Sequence, residues 1–153
     1  MLVCLVQHGE AVSEEVDPRR PLSERGRAEV ERVARLLARA GFKPGRIIHS
    51  GKLRAQQTAE ILAKELGVER VEKGEGLDPL ADPAPWLERL EAASEDTVVV
   101  GHLPFLAKLA GLMLVGSQDA EPVRFRYGGV FCFEKAEGRW RLVWAVTPDV
   151  VPS

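Results

Sequence analysis

The sequence predicts an α/β fold, a three-layer α/β/α sandwich whose mostly parallel sheet carries an antiparallel C-terminal hairpin at its edge. Three observations predict it. Short unbroken apolar runs, such as residues 2–6 and 97–100, are typical of strands buried on both faces. Segments with helical apolar spacing separate these runs, as they do in βαβ units. Residues 123–146 alternate apolar and polar side chains around Glu137-Gly138, which predicts a hairpin.

The predicted elements alternate along the chain. Strands are expected over residues 2–6, 46–50, 68–71 and 97–100, and helices over residues 23–41, 51–66, 86–93 and 104–114. Ser23 is the expected N-cap of the first helix, whereas Gly41 and Gly67 are expected to end the first two helices. Pro104 is expected to open the last helix. Residues 72–85 are rich in Gly, Pro and Asp, which indicates a loop.

Length and composition indicate one domain over residues 1–153 with an ordinary globular composition of 45% hydrophobic and 29% charged residues. A net charge of −2 gives no reason to expect nucleic acid as a partner. The first residues lack a basic segment, and their apolar run is too short for a signal peptide or a membrane span. We therefore expect a cytoplasmic protein without a membrane partner. Cys4 and Cys132 lie in apolar runs and are expected to be buried, reduced thiols.

All three histidines lie at the carboxyl ends of predicted strands: His8, His49 and His102. In sheets of this type, ligands bind outside the carboxyl ends of the strands, where strand order reverses. Gly9 and Gly101 flank two of the histidines, and glycine lets the backbone come close to a ligand. A single histidine is more often structural than catalytic, but the set together predicts a site at this edge.

Arg54 lies in the first turns of the helix that follows the second strand. From there its guanidinium can reach the same sheet edge and hold two phosphate oxygens at once. Ser50, next to the start of that helix, is expected to cap the helix or to donate a hydrogen bond to phosphate. Without the histidines, a solvated arginine on a helix surface is the simpler interpretation.

Four ordered segments carry a resemblance to a known family. They are Leu5-Val6-Gln7-His8-Gly9-Glu10-Ala11, Arg20-Pro21-Leu22-Ser23 with Gly26, Ser50-Gly51-Lys52-Leu53-Arg54-Ala55-Gln56-Gln57-Thr58-Ala59, and Val99-Val100-Gly101-His102-Leu103-Pro104. In order and spacing the chain resembles the histidine phosphatase superfamily, which has the phosphoglycerate mutase-like fold. Within it, the chain is most similar to the short SixA-type phosphohistidine phosphatases.

The resemblance implies a metal-independent phosphatase that uses no cofactor. His8 is the implied nucleophile, which forms a phosphohistidine intermediate that water hydrolyses. Arg54 and His102 are the implied donors to the phosphoryl oxygens, since catalysis of phosphoryl transfer depends on placed positive charge. Further contacts to phosphate or substrate are expected from Gln7, Gly9, Arg20 and Ser50. His49 is expected to be structural.

Gln7 departs from the family pattern, because the first motif of the family is Arg-His-Gly. Glutamine keeps a hydrogen-bond donor but loses the charge and the bidentate fork of arginine. Either Arg20 or another cation, such as Arg19 or Lys52, compensates, or the enzyme is slow, or the protein only binds phosphate.

The sequence also lacks an obvious proton donor for the leaving group. Longer members of the family take an acid from a loop after the second helix, where this chain has Glu75, Asp78 and Asp82. Asp78 is the favoured candidate among these three. A phosphoramidate needs no strong acid when its leaving imidazole is protonated before cleavage, which agrees with a phosphohistidine substrate.

Three functions remain open at this point. The first is a phosphatase that acts on phosphohistidine in a partner protein, and the second is a phosphatase of small phosphoesters. The third, which Gln7 motivates, is a weakly active or non-catalytic protein that binds phosphate. A chain of 153 residues leaves little length for a lid, which favours a substrate presented on another protein.

Overall fold

The computed structural model describes all 153 residues, 1–153. Its strands are β1 (Leu2–Gln7), β2 (Arg46–His49), β3 (Val71–Lys73), β4 (Thr97–Gly101), β5 (Val130–Ala136) and β6 (Arg139–Val146). Its helices are α1 (Glu24–Arg39), α2 (Leu53–Leu66), α3 (Ala84–Glu91) and α4 (Phe105–Val115), followed after β6 by a 3-10 turn (Pro148–Val150).

The six strands form one sheet in the order β3-β2-β4-β1-β5-β6. The first four of these run parallel, whereas β5 is antiparallel to β1 and β6 is antiparallel to β5. This arrangement confirms the predicted sheet and its antiparallel C-terminal hairpin. Gln7 pairs with Gly101, and His49 pairs with Val100, so β1, β4 and β2 end side by side at one edge.

Two separate hydrophobic clusters cover the two faces of the sheet. In β1, Cys4 and Val6 pack in the cluster that contains α1 and α2, whereas Val3 and Leu5 pack in the cluster that contains α3 and α4. Because successive side chains of a strand point to opposite faces, a strand covered on both sides needs an unbroken apolar run. The structure therefore confirms the three-layer sandwich.

The helix ends follow the expected local chemistry. Ser23 caps α1, and its hydroxyl accepts a hydrogen bond from the Gly26 N–H at 3.0 Å. Gly67 ends α2 in the left-handed conformation at φ 70°, which glycine adopts without strain. The second helix begins at Leu53 rather than at residue 51, since Gly51 has φ 92° and cannot continue a helix.

Three other predicted boundaries were wrong. The third strand occupies Val71–Lys73 instead of residues 68–71, because the Val68 N–H donates to the Ala63 carbonyl and completes the end of α2. The third helix begins at Ala84, two residues earlier than predicted. In the hairpin, the strands begin only at Val130, since a turn occupies the residues just before it.

The prediction for the cysteines was also wrong. Cys4 and Cys132 form a disulfide that links β1 to β5. The two residues are direct partners in the antiparallel register, with their Cα atoms 4.0 Å apart. The apolar runs around them predict burial correctly, but no local pattern in the sequence reveals that the two strands pair at these positions.

No helix meets both the length and the apolar character that a membrane span requires. The most apolar helix, α4, has 11 residues, whereas a span needs about 20.

Candidate active site

His8 follows β1 directly, and its backbone N–H donates to the Gly101 carbonyl at 3.0 Å. The residue is 6% exposed, and Nδ1 lies 2.7 Å from the Gly9 carbonyl. Because a carbonyl can only accept, Nδ1 carries the proton and Nε2 is left with a free lone pair. Burial lowers the pKa of His8 to about 4, against the raising effect of the Gly9 hydrogen bond and with a further decrease from Arg54 and Arg20. His8 is therefore a neutral imidazole at pH 7.

His102 lies beside His8 at the end of β4, with the two ring centroids 5.0 Å apart. The Nε2 atom of His102 lies 2.6 Å from the Ser50 hydroxyl, whereas its buried Nδ1 has no hydrogen-bond partner. Burial is the main cause that lowers the pKa of His102 to about 3, and His8, Arg54, Lys52 and Arg20 lower it further. The site therefore holds two neutral imidazoles.

Two arginines surround this pair with positive charge. Arg54, in the first turn of α2, is partly buried, and its Nε has no hydrogen-bond partner. Burial and the charge of Arg20 lower the pKa of Arg54. Arg20 is oriented by its Nε, which donates to the Val12 carbonyl at 3.0 Å. Two guanidiniums that repel each other beside two neutral imidazoles favour the binding of an anion.

Thr58 is a residue of the site that the sequence analysis did not single out. It is fully buried, and its hydroxyl accepts from the Gly9 N–H at 3.0 Å while it donates to the Arg54 carbonyl at 2.8 Å. Thr58 thus ties the residue that orients His8 to the helix that carries Arg54. Its position could have been found from the sequence, since Thr58 follows Arg54 by one helical turn within the family segment of residues 50–59.

Glycines let the loop after β1 pack closely on α1. A Cβ on Gly26 would lie 2.1 Å from the Glu10 carbonyl oxygen, and one on Gly9 would lie 2.8 Å from Cγ2 of Val30. The Glu10 carboxylate also accepts from the Ser23 hydroxyl at 2.8 Å. The N-terminus of α1 therefore fixes the loop that carries His8.

Tyr127 is the second residue that sequence reasoning missed. Its ring centroid lies 5.5 Å from that of His8, and 45% of the residue is exposed. It belongs to none of the four family segments, and only the pairing of β5 with β1 brings it to the site.

The remaining predicted contacts differ in how closely they join the site. Gln7 is 7% exposed, and its buried Oε1 has no hydrogen-bond partner. Ser50 contacts His102 as described, but it is not the N-cap of α2; that residue is Lys52, whose N–H donates to the Ser50 hydroxyl at 3.3 Å. His49 accepts from the Gly51 N–H at 3.0 Å through Nδ1, which is the interaction of a structural residue.

None of the three candidate acids makes a hydrogen bond or an ion pair with the histidines or Arg54. The exposed Asp78 carboxylate makes no hydrogen bond and no ion pair. Glu75 lies 3.9 Å from Lys73, and Asp82 accepts from the Ala84 N–H at 3.0 Å at the start of α3. The exposed Arg19, one of the expected compensating cations, is paired with Asp17 at 2.9 Å.

Comparisons with known proteins point to one family. Residues 3–80 match the profile of the histidine phosphatase superfamily (branch 1). A protein of unknown function from Picosynechococcus sp. is 36% identical over 128 residues, which are 80% of this chain and 76% of that protein.

Solved structures agree with the sequence matches. The structure of the protein histidine phosphatase SixA complexed with tungstate superimposes with a TM-score of 0.84 at 25% identity, covering 97% of this chain and 98% of that chain. A protein from Agrobacterium tumefaciens that is assigned to the SixA phosphohistidine phosphatases gives a TM-score of 0.80 at 26% identity, covering 96% and 97%. The chain therefore belongs to the histidine phosphatase superfamily, in its SixA-like branch.

Proposed function

We propose that this protein is a metal-independent phosphatase in which His8 is the nucleophile, and that the single domain of residues 1–153 carries the whole site. The observation that supports this most is the state of His8. Its Nδ1 proton is held by the Gly9 carbonyl, its pKa of about 4 keeps the ring neutral, and its Nε2 is free to attack phosphorus.

The reaction has two steps. In the first, the Nε2 lone pair of His8 forms a bond to phosphorus as the bond to the leaving group breaks, and the leaving group departs with its electron pair. In the second, water attacks the phosphohistidine, loses a proton to solvent and restores His8 with release of phosphate. Arg54 and Arg20 stabilise the charge on the phosphoryl oxygens in both steps, and His102 orients the group with Ser50.

We infer that the substrate is phosphohistidine on a partner protein. A phosphohistidine can be protonated on its ring before the phosphorus–nitrogen bond breaks, so that it leaves without a strong acid. The three carboxylates of the 75–82 region make no hydrogen bond or ion pair with the histidines, which supports a substrate of this kind. The two similar structures named SixA add the same support by analogy.

A comparison of leaving groups tests the proposal. Rates of phosphate release are measured between about pH 5 and 9 for a phosphohistidine peptide and for O-phosphoserine, an alkyl ester whose leaving alkoxide needs a proton, each with and without a chelator. We expect kcat/KM to be at least about 100-fold higher for the phosphohistidine, since the ester lacks an acid partner worth roughly 10²–10⁴ in rate. The chelator should change neither rate.

His8→Ala serves as the control and should release phosphate from neither compound. A higher kcat/KM for the alkyl ester would contradict the inferred substrate and assign the protein to small phosphoesters. Loss of activity with the chelator would contradict metal independence.

A further inference from the structure

Tyr127 is, apart from His102, the only aromatic ring in contact with His8, and the proposed reaction leaves it without a role. Its ring is tilted by 41° to the His8 ring, with the centroids 5.5 Å apart. The residue is 45% exposed, so part of this large ring faces solvent at the mouth of the site.

A tight turn holds Tyr127 in this position. The Gly129 N–H donates to the Arg126 carbonyl at 3.0 Å, which makes Tyr127 and Gly128 the two central residues. Gly128 has φ 71°, as the third residue of a type II turn requires. The Gly128 N–H also donates to the Gln7 carbonyl at 2.9 Å, and this bond fastens the turn to the end of β1.

The surroundings of Tyr127 do not explain it as a packing residue. It belongs to neither hydrophobic cluster of the fold. It borders a cavity of about 180 Å³ that is otherwise lined by Glu10, Arg25, Glu29, Arg126, Pro148 and Asp149. A ring next to charged groups and His8 gains little from burial, so packing does not account for Tyr127, and its position beside His8 points to a ligand.

We propose that Tyr127 binds the leaving group of the substrate and thereby selects a phosphorylated imidazole over a phosphoryl donor without a ring. This inference rests on the proposed attack of His8 on the phosphoryl group. Phosphorus must come within about 3–3.5 Å of the attacking nitrogen, and in-line attack places the leaving group on the far side of phosphorus from Nε2. Tyr127 contacts the His8 ring and is 45% exposed, so its free surface is accessible to a group bound at His8.

The chemistry of the leaving group suits a tyrosine. An imidazole that is protonated for departure is a planar cation, which the face of an aromatic ring attracts. Arg54 and Arg20 hold the phosphoryl oxygens but would repel this cation, so a neutral aromatic surface is the group that can accommodate it. The ring of Tyr127 rather than its hydroxyl provides that surface.

Three variants distinguish the effect of the aromatic ring from the effects of side-chain size and of the hydroxyl: Tyr127→Phe, Tyr127→Leu and Tyr127→Ala. Values of kcat and KM are measured for phosphohistidine and for phosphoramidate, whose leaving group is ammonia. We expect the Phe variant to match the wild type. The Leu and Ala variants should lose about fivefold to tenfold in kcat/KM for phosphohistidine, as befits one aromatic contact, and less than about twofold for phosphoramidate.

Equal losses for both compounds would overturn the proposal and make Tyr127 a residue that only positions His8. A Phe variant as impaired as the Ala variant would also overturn it, because the hydroxyl would then be responsible.

A binding measurement separates this question from catalysis. Affinities for phosphohistidine and phosphoramidate are measured calorimetrically with His8→Asn and with His8→Asn combined with Tyr127→Leu.

In the His8→Asn background, we expect Tyr127→Leu to weaken the binding of phosphohistidine but not the binding of phosphoramidate. Unchanged selectivity would overturn the role of Tyr127 whether or not the wild-type protein is catalytic. If the wild type released no phosphate while the selective loss persisted, the proposed catalytic function would fail and the ligand preference would stand.

Discussion

Gln7 occupies the position at which the family has an arginine, next to the proposed nucleophile. The amide is almost fully buried, and its Oε1 has no hydrogen-bond partner. Arg54 and Arg20 remain as positive charges that act on His8, since both lower its pKa. The loss of one charged donor from a phosphoryl site costs roughly 10²–10³ in rate, by analogy with the loss of an oxyanion donor.

Gln7→Arg tests whether this loss is compensated. We expect kcat/KM for phosphohistidine to rise by roughly 10-fold or more, because the guanidinium adds charge where it develops in the transition state. Gln7→Met, which has similar length and no polar end, is the matched control and should not gain activity. An unchanged rate in Gln7→Arg, with an unchanged melting temperature, would mean that Arg20 already compensates.

His8, Arg54 and His102 could be identified as candidate site residues from the sequence, because each lies in a short, continuous family segment. Tyr127 was not predictable in this way, because its place beside His8 depends on a pairing between strands more than 100 residues apart. Ser50 shows an intermediate case. Its position at the sheet edge was predicted correctly, but its contact with His102 depends on the adjacency of β2 and β4.

Helix α2 and the loop after β1 are held together by hydrogen bonds. Thr58 connects them through its two hydrogen bonds, one to the Gly9 N–H and one to the Arg54 carbonyl. The carbonyl of the same Gly9 orients His8. A displacement of α2 would therefore move both the guanidinium of Arg54 and the backbone that supports His8.

Thr58→Val removes the hydroxyl and keeps the shape of the side chain. We expect a loss of about 1–3 kcal/mol in the free energy of unfolding, because the buried Gly9 N–H is left without an acceptor. Activity should fall as well, since Gly9 no longer holds His8 firmly. Urea unfolding and kcat report the two effects.

Thr58→Ser is the control, because it keeps the hydroxyl and loses only a methyl group. We expect it to retain most of the activity. If Thr58→Val and Thr58→Ser lost activity equally, the hydrogen bond to Gly9 would have no part in positioning His8.

Element types were predictable because apolar periodicity and capping residues are local properties. Ser23 and Gly67 marked helix ends correctly, since each acts on the neighbouring backbone. The short strand β3 was displaced by three residues, because Val68 is apolar for a different reason: it packs in the core just after α2. Burial alone does not distinguish a strand from the end of a helix.

Two buried imidazoles make the stability of the whole domain depend on pH. The folded pKa values, about 4 for His8 and about 3 for His102, lie below the ordinary value of 6.5. Below about pH 6.5 the unfolded chain therefore binds protons that the folded chain does not. Stability is complete above that pH and is lost as the pH falls toward 4.

We expect the free energy of unfolding to decrease by roughly 3 kcal/mol or more between about pH 7 and pH 4, since each pH unit of pKa shift corresponds to about 1.4 kcal/mol. Urea unfolding at several pH values measures it. In the double variant His8→Gln with His102→Gln this dependence should be clearly flatter. The same steepness in both proteins would show that other groups cause the loss.

Strand order and register could not be read from the sequence. A mostly parallel sheet with an antiparallel hairpin followed from the alternation of elements, but the placement of β4 between β2 and β1 is a non-local property. The disulfide between Cys4 and Cys132 depends on the same non-local register. The location of the histidines at one edge of the sheet was predictable because they lie at the carboxyl ends of parallel strands. Their contacts with one another depend on β2, β4 and β1 being neighbours, which the sequence did not show.

Phosphorylation of His8 is the step on which the proposed function depends. It is measured by mixing the protein with a ³²P-labelled phosphohistidine peptide, quenching in alkali and locating the label by peptide mapping. We expect a label that is stable in base, labile in acid and bound to the peptide that contains His8, and no label in His8→Ala. A label elsewhere, or an equal label in His8→Ala, would show that His8 is not the nucleophile.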